Sequence, residues 1–353
     1  MKLNYPDYIS TKRIPVPSPT NLVENGQAHF GTFETPIPNM NLLDCVKPCG
    51  KLMPHFLNKT RLTVWEAFEI NMDECTVVSA VYNMGALGFN ICALYDKAEK
   101  KVYSWQNFAQ GKRCIVAPNL IDSFSMLKTK KSILKINNKF QIGLCSAECK
   151  MTNKKSGSVE YLISAERISP PSIVSIPFDK NKPLYSEKDF LKADGFVAIN
   201  GKKYYTNERS TVIVDDHKGY YPFKAHYDWL TTMGKTLLSG QEKYLAVNFT
   251  HNQSIDEEAF NENVLWLEGE SIALPPVKFE KVSKTNWRIY DERGTIEVFF
   301  DMADEFNMMV HLGLIDITYR LPFGNVRGFI SANGTRYALD GMSGIAEDRS
   351  QRI

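Results

Sequence analysis

The 353-residue chain contains no window near the roughly 18 consecutive apolar residues of a membrane-spanning helix. Its first residues, Met1 to Val16, carry charges and prolines where a secretory signal would need an apolar stretch. Membrane spanning and export are therefore not expected. Charge of one sign is also lacking: Lys and Arg total 42 against 40 Asp and Glu. Such a surface has no broad field to attract nucleic acid or anionic lipid, and the short basic run Lys128 to Lys131 reads as a solvated loop. Cysteine is sparse and odd in number, with seven residues scattered between Cys45 and Cys149. Reduced thiols in a cytoplasmic protein fit this pattern. The spacings Cys45/Cys49 and Cys145/Cys149 are not C-x-x-C pairs and have no His nearby to complete a zinc set, so packed free thiols are expected and no metal. There is no nucleophile elbow, P-loop, H-E-x-x-H helix or dinucleotide fingerprint. No cofactor is expected.

What the chain does have is a repeated pattern of short alternating or β-branched stretches, each followed by a turn signal. In Cys75 to Tyr82, alternation sends Cys75, Val77 and Val81 one way and Val78, Ala80 and Tyr82 the other. Both faces are apolar, so that strand is expected to be covered on both sides. Asn137-Asn138, Asn200-Gly201, Glu268-Gly269 and Asn333-Gly334 are hairpin signals, and the Asn-Gly pairs suit type I′ turns. Asp291 to Gly294 (DERG) separates two further alternating runs. Many short antiparallel strands predict a mostly β fold with few short helices, as barrels rather than sandwiches, because closure removes exposed edges.

The length fits two domains. Ser169 to Pro183 holds four prolines among polar residues and interrupts the alternation, which sets expected limits of 59–175 and 176–353. Ser186 to Asp194 is open to two readings, a short helix capped by Ser186 and Asp189 or an irregular connector. The Pro-rich residues 1–58 are expected to form an arm packed on both domains.

Chemistry-bearing residues concentrate in Asp215 to Trp229, where fifteen residues hold two His, three Asp, three Tyr and one Trp. Asp215, Asp216 and His217 are expected at a strand end as the catalytic group. Tyr220, Tyr221, His226 and Trp229 follow as ligand-binding candidates. Adjacent carboxylates push each other's ionisation apart, which can leave one protonated as an acid. A turn with packed aromatics is the competing account of the same residues. A second group, His251, Asn252, Glu262, Asn263 and Trp266, is expected to offer a carboxylate and an amide at a strand start, or to serve as loop hydrogen bonding. His311, in an apolar setting, reads as a satisfied core histidine.

The series WEAFEI at Trp65 to Ile70, DDHKGYYP at Asp215 to Pro222 with Trp229, ENVLWLEG at Glu262 to Gly269, Leu274, and the tail from Phe323 to Asp348 resembles the family known as domain of unknown function 2804. That family is similar to lipocalin-like (calycin-type) two-barrel proteins that include carotenoid 1,2-hydratases and cyclases of apolar polyenes. The resemblance implies two packed antiparallel β-barrels and a cavity at or between them for a hydrophobic small molecule. It also implies cofactor-independent acid catalysis by Asp215 or Asp216 tuned by His217, with Tyr220, Tyr221, Trp229 and Trp266 facing a cationic intermediate. Non-catalytic binding of a lipid or isoprenoid is the main alternative. Carbohydrate chemistry by paired carboxylates such as Asp216 and Glu262 is the second.

Overall fold

A computed structural model of the chain describes residues 5–238, 240–251, 253–312 and 315–352. The two expected barrels are present as two curled antiparallel half-barrel sheets. Among the described residues the first has 13 strands. Its path runs through Lys101–Gln110, Leu87–Asp96, Cys75–Asn83, Thr63–Asn71, Thr211–Gly219, Pro183–Ile199, Gly157–Arg167, Leu144–Asn153, Ser132–Lys139 and Ser123–Lys128. The second has 10 strands, with the path Glu270–Ala273, Val264–Leu267, Gln241–His251, Lys224–Leu238, Met342–Arg352, Ile315–Ala332, Ile296–Leu312, Asn286–Tyr290 and Lys278–Lys281. One short α-helix, His55–Arg61, sits before the first long strand.

Alternation distributes each strand between two cores. Cys75, Val77 and Val81 enter the interior of the first half-barrel. Val78 and Ala80 face the second sheet, where they pack with Trp229, Trp266 and Phe323. Trp287, Phe300 and Val298 fill the second half-barrel. Fully burying a side chain of this size contributes roughly 1.5–3 kcal/mol. Curling needs local relief from flat strand geometry. At Gly195, inside the 17-residue strand Pro183–Ile199, φ is +143° and an added Cβ would lie 2.0 Å from the Leu162 carbonyl oxygen. Only glycine tolerates that position.

Edge strand Lys101–Gln110 is not closed into a ring. Its backbone is met instead by side chains: Asp304 of the second sheet accepts from Val102 N at 2.7 Å, and Ser156 and Asn153 bond the backbone of Ser104. This is how an open sheet avoids presenting a free edge.

Asn200-Gly201 and Asn333-Gly334 form the expected turns, with positive φ at all four residues, and Gly269 has φ +80°. Asn137-Asn138 does not turn. Both lie in strand Ser132–Lys139, paired with Ser146 and Cys145, and the chain reverses at 140–143 with Gly143 at φ +70°. Asn138 is held in the strand because its buried amide serves Glu66. Ser186 to Asp194 is neither helix nor irregular connector: it lies in the long strand Pro183–Ile199, paired on both edges.

The proposed division at 175/176 falls inside strand Ser172–Pro177, and the strands up to Gly219 hydrogen-bond into the first sheet. The chain changes sheet at 220–223. Pro177 and Pro183 sit at strand ends, where a missing N–H is tolerated. Residues 5–58 touch both sheets. Gly31–Phe33 pairs with Ser172–Pro177, Tyr8 bridges to Ser331 and Asn333, and buried Arg13 donates to Asn261 and the Asn263 and Leu274 carbonyls. Among the described residues no helix is long and apolar enough to cross a membrane.

Candidate functional site

Between the facing outer surfaces of the two sheets lies a cavity of about 640 Å³ with a mostly apolar wall. Cross-strand pairing builds its first side in rows. Paired positions put His217 beside Trp65, Trp65 beside Tyr82, Tyr82 beside Phe89 and Phe89 beside Phe108. The rings follow one another in that order with centroids 4.4, 6.0, 4.9 and 5.7 Å apart, the first three pairs stacked and Phe89 tilted against Phe108. In the next row Lys188, Asp215, Ala67, Ala80 and Ile91 are neighbours. The two alanines leave the space that the aromatic row would fill. Glu69 belongs to the row beyond. From the second sheet come Tyr227, Arg349 and Tyr319 in one row, and Trp229 paired with Glu347 in another.

Four buried ionisable groups meet on this wall. Lys188 Nζ lies 2.5 Å from Asp215 Oδ2, 3.4 Å from Glu262 Oε2 and 3.0 Å from His217 Nε2. His217 Nε2 is 3.1 Å from Asp215 Oδ1 and 3.3 Å from Glu262 Oε2. Burial alone would raise both carboxyls, but the cations overcome it. Lys188 and His217 hold Asp215 below the usual range, and His217 and Lys188 hold Glu262 at about 2. For His217 burial acts downward and is outweighed by the carboxylates, Glu262 first, so it is raised. All four shifts favour the charged forms, two cationic groups against two carboxylates.

Glu69 stands apart. Burial pushes it well above the normal range, Asp215 adds to this, and its Oε2 has no partner among the described residues. Its shift runs toward the neutral form while that of Asp215 runs toward the ionised one, the divergence that separates acid and base roles.

The sequence-selected residues divide accordingly. Asp215, His217, Tyr221, Trp229 and Glu262 line the cavity. Asp215 to His217 are in mid-strand rather than at a strand end, because Thr211–Gly219 is paired on both sides to Gly219. Asp216 points the opposite way, into the first half-barrel, where it pairs with Lys218 near Glu66 and Glu187. Tyr220 bonds the Leu42 carbonyl and packs with the arm. His226 is half exposed and bonds Ser350 and Asp228. His251 pairs with Glu257 near the surface, and Asn252 lies outside the described residues. Asn263 ties Thr250 N to the Pro275 carbonyl. Trp266 is wholly buried against Phe190. His311 is exposed and paired with Asp316, not a core histidine, because its strand overhangs the sheet at that end.

Lys188, Glu69, Trp65, Tyr82, Glu347 and Arg349 were not singled out as site residues from the sequence. Alternation in WEAFEI was the usable signal for Trp65 and Glu69, since it places Trp65, Ala67 and Glu69 on one face. His226, Asp228 and Asp348 offer ligand atoms within 4.8 Å of one another. Lys281 already supplies the positive charge there, at 2.8 Å from Asp228 and 2.5 Å from Asp348.

Among solved structures, the chain resembles CghA with Sch210972 (TM-score 0.52, 8% identity, covering 81% of this chain and 88% of that one). It also resembles kievitone hydratase from Nectria haematococca (TM-score 0.49, 11% identity, 82% and 88%). At these identities the likeness concerns the fold alone. No curated protein matches the chain. The profile of "Domain of unknown function (DUF2804)" matches residues 14–353, which is nearly the whole chain, and the protein therefore belongs to that family.

Proposed function

We propose that the protein binds a predominantly apolar small molecule between its two sheets and performs cofactor-independent proton transfer on it, as a hydratase, isomerase or cyclase would. The observation that carries this reading is that Glu69 and Asp215 line one apolar cavity, where burial shifts Glu69 toward its neutral form and Lys188 and His217, against burial, shift Asp215 toward its ionised form. Glu69 donates its proton to an alkene or enone carbon, the adjacent carbon becomes cationic, and the rings of Trp65 and Trp229 with the Asp215 carboxylate stabilise it. In hydration, water adds to that carbon and its proton returns to the Glu69 carboxylate. In isomerisation or cyclisation the substrate itself supplies the returned proton. The acid role thus moves from the adjacent Asp pair to Glu69. The paired-carboxylate carbohydrate reading is dropped, since Asp216 faces the interior of the first half-barrel while Glu262 faces the cavity.

The test is turnover of a panel of conjugated polyenes and enones by wild type and Glu69→Gln. A loss of about 10²–10⁴-fold in the variant, with ligand binding retained, is expected. Full activity in Glu69→Gln removes the acid role. Retention of an unchanged apolar molecule with no turnover by wild type leaves binding as the function.

A further inference from the structure

Among the described residues Arg349 is the one guanidinium on the cavity wall that comes from the second sheet, and only 7% of it is exposed. Nη1 donates to the hydroxyl of Tyr82 across the cavity at 2.9 Å and to that of Tyr227 at 3.3 Å. Nε is buried with no partner, and Arg349 makes no ion pair among the described residues. The phenols around it are donors too. Tyr82 and Tyr221 accept hydrogen bonds, from Arg349 and from Trp65 Nε1 respectively, and neither hydroxyl proton has an acceptor among the described residues. Burial holds both phenols protonated. Glu347 faces the cavity two residues earlier on the same strand; burial pushes it up while Tyr319, Arg349 and Tyr227 act to lower it, and among the described residues no ion pair joins it to Arg349.

A buried cation whose hydrogen bonds all go to neutral hydroxyl oxygens is costly, and an acceptor charge offsets that cost. Asp215 and Glu262, the two wall carboxylates shifted toward the ionised form, are already engaged by Lys188 and His217. A guanidinium fork matches a carboxylate in shape, and two phenolic donors complete the coordination of its oxygens. We infer that Arg349, Tyr82 and Tyr221 form an anion subsite, and that the cavity takes an apolar molecule ending in a carboxylate. This rests on the apolar-ligand reading above and adds the polar end of the ligand. Trp65 ties the subsite to the proton-transfer cluster, since it donates to Tyr221 and stacks on His217. A bound carboxylate would therefore hold the apolar body against Glu69 and Asp215.

The test compares two fluorescent probes of the same chain, cis-parinaric acid and its methyl ester, near pH 8, where the acid is ionised. Wild type is expected to bind the acid about 10- to 100-fold more tightly than the ester, the range for hydrogen bonds to a charged group. Arg349→Met should abolish the preference and leave ester binding in place. The double variant Tyr82→Phe/Tyr221→Phe, which keeps the buried charge and ring packing, should lower acid affinity about tenfold without changing the ester. Equal affinity of wild type for both probes, or a preference that survives in both variants, overturns the subsite and leaves the apolar cavity standing. Failure of folded wild type to bind either probe overturns both readings.

Discussion

The indole of Trp65 lies face to face with the imidazole of His217, with centroids 4.4 Å apart and planes 17° from parallel. The stack, and the carboxylates of Glu262 and Asp215 at its edge, hold His217 where a positive charge is favoured. Its folded-state value is therefore raised above the ordinary 6.5. The sign follows from linkage: the contribution to stability is complete below the unfolded value and is lost as pH rises through the higher folded one. Imidazole NMR titration should place His217 above 6.5, and Glu262→Gln should lower it. An unshifted titration would contradict the charge balance described above.

Lys188 is 1% exposed and contacts both Asp215 and Glu262. Lys188→Met leaves two buried carboxylates with only His217 between them, and urea denaturation should show a loss of about 3–5 kcal/mol. The wild-type cluster should also weaken in acid. Because Glu262 falls from 4.5 to about 2 in the folded state, its contribution is present above pH 4.5 and disappears as pH drops toward 2. Glu262→Gln should flatten the stability profile in that window.

Neighbouring Asp215 and Asp216 should respond differently to the same substitution, because alternation places them on opposite faces of one strand. Asp215→Asn should impair turnover and shift His217. Asp216→Asn should leave ligand binding unchanged and act on the first half-barrel, where Glu66 sits at about 7 through burial and then through Asp216. Removing Asp216 should let Glu66 ionise against Lys218. Infrared titration of the carboxyl band would detect that change.

The all-β fold was legible because alternation and Asn-Gly turns are local signals, and both survive at Cys75 to Tyr82, Asn200-Gly201 and Asn333-Gly334. Strand Pro183–Ile199 was not, since it is covered on both faces and carries Glu187, Lys188 and Asp189 buried in a row. Charges at successive positions read as surface or helix cap until their partners across the sheet are known. The same limit hid Arg349, whose meaning depends on Tyr82, 267 positions away in sequence. Asp215, His217 and Glu262 could be chosen from residue type, but Asp216 shows that type without facing is insufficient: the strand period would have separated it from its neighbour.

The central claim is that the space between the sheets is a ligand cavity, and Ala80 is one of the two alanines whose small size keeps it open. The most direct measurement is titration of cis-parinaric acid or its ester into wild type and Ala80→Phe, alongside thermal melting. Wild type should bind, and Ala80→Phe should remain folded while losing at least about tenfold in affinity, because the added ring occupies the cavity. Unchanged binding by a folded Ala80→Phe protein would place the ligand elsewhere and contradict the account.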